Sequence, residues 1–183
     1  MRVPRTFLFT DLTGFTNFTA HNGDDAAGRL LSSYRLVTRE VASAYGVRVA
    51  KWLGDGAMLV ALNDTDGICV CLETAYRALH ACAPLAMRAG IASGRALLFE
   101  GDDYIGSAVN LAARLCDAAG PGEVLMPAAN LRDLPKGVRS RPNGAVTLRG
   151  FPDPIEVVSL SGRPITAAPL DAGEIWPHAP FVA

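Results

Sequence analysis

The stretch YGVRVAKWLGDGAMLVAL, residues 45–62, constrains this chain more than any other. Two largely apolar runs follow each other there with only the glycine-flanked turn of KWLGDG between them. A purely parallel sheet needs a long crossover between successive strands, and six residues cannot supply one. Elsewhere, runs with helical spacing alternate with short β-branched and aromatic runs. Together these features predict an α/β (α+β) sandwich with a mixed, largely antiparallel central sheet flanked by helices.

The remaining segments fill in that outline. RTFLFTDL reads as a strand closing at Asp11, and TGFTNFTAH as a turn or short helix. Asp24 and Asp25 open a helix whose apolar positions are Leu30, Tyr34, Val37, Val41 and Ala44, and Gly46 stops it. A second helix is expected from about Asp66 to Cys82, burying Ile68, Leu72, Ala75 and Leu79. LAMRAGIASGRALLFEG reads as two strands broken by glycines, and SAVNLAARLCDAAG as a third helix. GEVLM, GAVTLRG and IEVVSL supply later strands, with PNG as a turn signal. The expected organisation is one domain over residues 1–162, followed by a Pro- and Ala-rich C-terminal tail over 163–183.

Composition excludes several classes of function. Half of the 183 residues are hydrophobic and the formal net charge is −1, which suits one well-packed domain. That balance gives no electrostatic footprint for nucleic acid or an anionic membrane surface. No apolar stretch approaches membrane-spanning length, and MRVPRTFLFTD reaches an Asp too early for a signal peptide, so a soluble cytoplasmic protein is expected. Cys69 and Cys71 are two apart on a helix and point to different faces, while Cys82 and Cys116 stand alone, so all four read as buried free thiols. His21, His80 and His178 have no ligand-spaced companions.

Four polar residues need a reason. Asp11 and Asp55 each sit at a strand end, and two such carboxylates suit a pair of hard divalent cations that leave positions open for phosphate. Alternatively each caps a turn, the ordinary role of an Asp beside Gly. On the third helix, Val109, Ala112, Ala113 and Cys116 form the apolar side, leaving Asn110 and Arg114 one turn apart on another face. Asn disfavours helix interiors and asks for an explanation. The plain alternative is a solvated face with Arg114 paired to Asp117.

FLFTDLTGFTNF, KWLGDG and DYIGSAVNLAARL, in this order, each resemble a signature of the class III adenylate/guanylate cyclase catalytic domain, in its compact bacterial form. The resemblance runs from about Arg5 to Leu160 and includes LRGFPDPIEVVSL. It implies a palm-type, ferredoxin-like cyclase core for residues 1–162. It also implies that Asp11 and Asp55 bind two Mg2+ or Mn2+ ions, with the Leu12 carbonyl as a further ligand. Lys51 and Asp103 match the purine-reading pair of adenylyl cyclases, where guanylyl cyclases usually carry Glu and Cys. Asn110 and Arg114 match the residues that orient the ribose and stabilise the transition state. Backbone N–H groups of TGFT, at Phe15 and Thr16, would cradle the terminal phosphates. Asp102 precedes Asp103, so the register of the purine-reading acid rests on its spacing to Gly106 and Asn110.

The implied activity is conversion of ATP to 3′,5′-cyclic AMP and pyrophosphate by a head-to-tail homodimer with composite sites, without nucleic acid or membrane as partner. In such a dimer Lys51 and Asp55 face different active sites and are not partners. A guanylate cyclase, or a catalytically weak nucleotide-binding and dimerisation module, is the alternative.

Overall fold

The computed structural model describes residues 1–100 and 103–165, so the expected C-terminal tail lies, from residue 166 onward, outside the described residues. The elements are β1 (Arg2–Leu12), α1 (Phe15–Asn22), α2 (Asp24–Ala44), β2 (Arg48–Leu53), β3 (Gly56–Ala61), α3 (Asp64–Ala81), β4 (Met87–Phe99), β5 (Asp103–Ile105), α4 (Ser107–Ala118), β6 (Val124–Pro127), β7 (Val138–Val146) and β8 (Ile155–Gly162). A single turn of 3-10 helix, Ala128–Asn130, follows β6.

The strands form one sheet in the order β2-β3-β1-β4-β6-β8-β7, with β5 paired to the far end of β4. Among the described residues only β4 and β6 run parallel; the other pairs are antiparallel. The mixed, largely antiparallel sheet expected from consecutive strands is therefore the one observed. β1 lies in its interior, flanked by β3 and β4.

Because side chains alternate along β1, the sheet has two differently covered faces. Leu8 and Leu12 point into a core shared with Leu30, Tyr34, Val37 and Val41 of α2 and with Ile68, Cys71 and Ala78 of α3. Phe7 points the other way, against Met58, Ala92, Tyr104, Ala108 and Ala112, under α4. Thr10, on the α2 side, hydrogen-bonds the Tyr34 hydroxyl at 2.6 Å, which satisfies two buried polar groups and pins α2 to β1. All four cysteines are buried and free, as expected, and burial pushes the Cys116 thiol up to about 12.

Three expectations need correcting. Residues 87–99 form one unbroken strand, not two broken by glycines. Gly90 and Gly94 are the positions where α4 lies against the sheet: a Cβ on Gly90 would stand 2.2 Å from the Ala112 carbonyl oxygen, and one on Gly94 2.9 Å from the Ala108 Cβ. Pro142–Gly144 is likewise no turn between strands. It is an irregularity inside β7, with Gly144 at φ 76° absorbing the register shift, and the strand ends at Val146 rather than spanning GAVTLRG. Finally, Leu79 is 54% exposed. Ile68 and Leu72 are buried as expected, but in the last turns of α3 the buried positions are Thr74 and Ala78, followed by its C-cap Cys82.

Candidate active site

The residues singled out from sequence lie on or beside the α4 face of the sheet. Asp11 is three residues along β1 from Leu8 and shares the face of Phe7 and Phe9. Its register partners are Gly56 on β3 and Arg88 on β4. Arg88 reaches across that pairing: its Nε and Nη2 donate to Asp11 Oδ2 at 2.8 and 2.7 Å, and its Nη1 donates to the Asp117 carbonyl at 3.0 Å. Both side chains of the ion pair are about one-quarter exposed, so the pair is partly shielded from water.

Asp55 occupies the turn between β2 and β3, immediately before Gly56, the register partner of Asp11. The two glycines that flank it have separate reasons. Gly54 takes φ 65°, which the turn requires. At Gly56 a Cβ would stand 2.4 Å from the Thr10 carbonyl oxygen, so only glycine lets β3 lie this close to β1. Desolvation raises the Asp55 carboxyl above its ordinary value, the neighbouring Asp11 charge adds to the rise, and a hydrogen bond to its own backbone and the Arg88 charge oppose it. Two carboxylates are thus near enough to feel each other, the condition under which a cation between them is stabilised.

The hairpin that carries Asp55 is fixed from the α2 side. Arg35 and Arg39 each lie 5.1 Å from the ring centroid of Trp52, Tyr34 meets the same ring edge-on, and Arg35 donates to the Gly54 carbonyl at 3.2 Å. Such cation–π contacts are worth about 0.5–1 kcal/mol each where exposed.

Lys51 is not bonded to Asp55. Its ammonium lies 2.8 Å from Asp103 Oδ2, bringing together residues 52 positions apart in sequence. The Lys51 hydrogen bond and the Tyr104 N–H, which donates to Asp103 Oδ1 at 2.8 Å, hold the Asp103 carboxyl below its ordinary value. Lys51 pairs with Met58 in register, which places it on the α4 face, and both side chains of the ion pair are about two-fifths exposed.

Asn110 and Arg114 stand one turn apart on α4, on its exposed side. Asn110 makes no side-chain hydrogen bond among the described residues. Arg114 Nη1 bonds Asp117 Oδ2 at 3.0 Å, so the pairing given above as the plain alternative is present. It engages one of the five guanidinium donors, and among the described residues the others have no partner. α4 itself is seated by Gly90 and Gly106, whose missing side chains permit contact with backbone, and by Gly94, which leaves room for the Ala108 methyl.

At the end of β1 the Leu12 side chain is buried, so any part it takes in a metal site would be through its backbone carbonyl. Gly14, at φ 83°, starts α1, and Phe18 is the first residue to bond back into it, to the Gly14 carbonyl. The N–H groups of Phe15 and Thr16 therefore precede the first intrahelical bond. Among the described residues no cluster of three or more His, Cys, Asp or Glu forms, so a metal site would consist of the two carboxylates and a carbonyl. All three donors are hard oxygens, and a site with so few protein ligands suits Mg2+ or Mn2+ that keeps positions for water and phosphate. A cavity of about 440 Å3 lies elsewhere, on the α3 face, beside Thr6, Asp64, Ser93 and Asn130.

Sequence reasoning missed Arg88 and Arg35. Arg88 becomes notable only once the β1–β4 register sets it opposite Asp11, and Arg35 only once α2 is laid against the hairpin.

Comparison with known proteins follows the same lines. No family model matches the chain. An uncharacterized protein of Mycobacterium tuberculosis is 35% identical over 85% of this chain and 41% of its own length, and an adenylate cyclase of Streptomyces coelicolor is 30% identical over 69% and 33%. The chain thus spans about two-fifths or less of these curated relatives. Among solved structures, the adenylyl cyclase CyaB of P. aeruginosa superposes with a TM-score of 0.76 at 24% identity, covering 92% of this chain and 98% of that one. The guanylate cyclase domain of Catenaria anguillulae, solved with GTP, gives 0.72 at 17%, covering 89% and 99%. The chain has the class III adenylate/guanylate cyclase catalytic fold. No helix among the described residues is long and apolar enough to cross a membrane.

Proposed function

We propose that residues 1–162 are the catalytic domain of an adenylate cyclase that converts ATP to 3′,5′-cyclic AMP and pyrophosphate, acting as a head-to-tail homodimer in the cytoplasm. The observation that carries this reading is the Lys51–Asp103 pair, a donor and an acceptor held 2.8 Å apart and partly exposed to solvent. Asp103 would accept from the adenine amino group while Lys51 donates to a ring nitrogen. The adenylate cyclase names among the relatives agree with it.

Asp11, Asp55 and the Leu12 carbonyl would hold two divalent cations, Mg2+ or Mn2+. When bound, these supply Lewis acidity at the ribose 3′-hydroxyl and the phosphoryl oxygens. Asn110 holds the ribose with its 3′-oxygen in line with the α-phosphorus, which removes much of the entropic barrier. Arg114 places positive charge where negative charge develops as that oxygen displaces pyrophosphate. The N–H groups of Phe15 and Thr16 receive the terminal phosphates at the start of α1. Arg88 sits beside Asp11 and can follow the same phosphates once Asp11 turns to cations.

In a C2 dimer of this kind, one chain supplies Asp11 and Asp55 to a site and its partner supplies Lys51, Asp103, Asn110 and Arg114. The test is complementation. Asp11→Ala and Asn110→Ala/Arg114→Ala homodimers should each be inactive, because both their sites are damaged. After subunit exchange, half the dimers are mixed and each has one intact site, so activity should return to about a quarter of wild type. Mixtures that exchange subunits but stay inactive would reject the composite site.

A further inference from the structure

Asp117, near the end of α4, touches both halves of the candidate site. Its carboxylate accepts from Arg114 at 3.0 Å, and its carbonyl accepts from Arg88, which in turn binds Asp11. We propose that Asp117 is a positioning residue: its side chain fixes the Arg114 guanidinium for the transition state, while its backbone fixes Arg88 beside Asp11. This rests on the adenylate cyclase reading above.

Two features separate this role from a merely structural one. The Arg114–Asp117 pair is 41% and 63% exposed, and exposed pairs contribute little to stability. Its geometry nevertheless matters for a long side chain that must present charge at one place. An unpaired guanidinium on an exposed helix samples many rotamers, and ordering it at the moment of reaction adds to the barrier. A carboxylate three residues along the same helix limits that search while engaging only Nη1, and among the described residues the other donors remain open toward a phosphoryl group.

The two contacts also differ in what mutation can remove. Any substitution at position 117 keeps the carbonyl that holds Arg88, whereas Asp117→Ala removes the carboxylate that holds Arg114. In a head-to-tail dimer these halves of one chain serve different sites, so the effect of the substitution has an address. It should appear only in the site that draws Arg114 from the altered chain.

The experiment has two arms. In the homodimer, Asp117→Ala should lower kcat about tenfold while KM for ATP and the melting temperature stay near wild type, and Asp117→Glu should recover part of the loss. In the complementing mixture, adding Asp117→Ala to the Asp11→Ala chain, which supplies Arg114 to the intact site, should lower the restored activity about tenfold. Adding it to the Asn110→Ala/Arg114→Ala chain should leave the restored activity unaltered. Unchanged kcat in the homodimer, a rise in KM alone, or equal loss from both placements would overturn the proposal. If the mixture without any change at Asp117 fails to recover, the composite-site reading falls, and the homodimer arm still decides whether Asp117 positions Arg114.

Discussion

Gly90→Ala tests how tightly the site depends on the seating of α4. The added Cβ would lie 2.2 Å from the Ala112 carbonyl oxygen, 2.3 Å from the Cys116 nitrogen and 2.8 Å from the Leu115 carbonyl carbon. All three are helix backbone, so no side chain can swing aside. The helix must instead lift or slide by roughly 1 Å before these atoms regain ordinary contact distance. Overpacking of this kind costs about 1–3 kcal/mol, which for a domain of this size lowers Tm by roughly 2–12 °C. The larger effect is expected on catalysis, because α4 carries Asn110 and Arg114, the proposed ribose-orienting and transition-state residues. A displacement of about 1 Å in a reacting constellation costs on the order of 100-fold in rate. Gly94→Ala is the internal comparison, since its Cβ would meet only the Ala108 methyl at 2.9 Å and the loss should be smaller. Both variants are followed by thermal melting and by cyclic nucleotide formation. Gly90→Ala with wild-type Tm and rate would refute the claim that backbone contact at this glycine sets the position of the helix.

Other consequences are more local. Asp11→Ala or Asp55→Ala should reduce turnover at least 100-fold while the circular dichroism spectrum and chromatographic behaviour stay native; near wild-type cyclic AMP production would remove both from the metal site. Exchanging the proposed purine-reading pair, Lys51→Glu with Asp103→Cys, should lower the ratio of kcat/KM for ATP over GTP, through loss of ATP use above all; an unshifted ratio would reject the pair as purine readers. Asp55 also carries a stability signature. Its carboxyl is raised in the folded state, so its charged form works against folding above that raised value, and the penalty disappears as pH falls below the ordinary carboxylate range. Asp55→Asn, measured without divalent cations, should therefore melt at or above the wild-type temperature at pH 7 and converge with it near pH 3.5; a variant less stable at pH 7 than at acid pH, relative to wild type, would contradict that sign.

Local chemistry was legible in the sequence and long-range geometry was not. Consecutive strands around KWLGDG fixed the mixed sheet, and the apolar spacing of α2 placed Leu30, Tyr34, Val37 and Val41 in the core. The glycines of β4 misled because Gly in a strand reads as a break, whereas Gly90 and Gly94 mark the approach of a helix that follows them in the chain. PNG carries a turn signature that a bulge satisfies equally well. Leu79 obeyed helical spacing, but the buried stripe of α3 is rotated by one residue toward Ala78 and Cys82, and only the packed sheet sets that rotation. Within the site, the candidate residues could be named from motifs. That Lys51 bonds Asp103, and that Arg88 bonds Asp11, depends on register between strands far apart in sequence.

The most direct measurement is product analysis with the purified domain, ATP or GTP as substrate, and Mg2+ or Mn2+ supplied in turn. An adenylate cyclase of this design should give cyclic AMP and pyrophosphate in equal amounts from ATP, depend on the divalent cation, and show a lower kcat/KM for GTP. Domain that dimerises and binds nucleotide yet forms neither cyclic AMP nor cyclic GMP would contradict that expectation, as would cyclic GMP formed in preference.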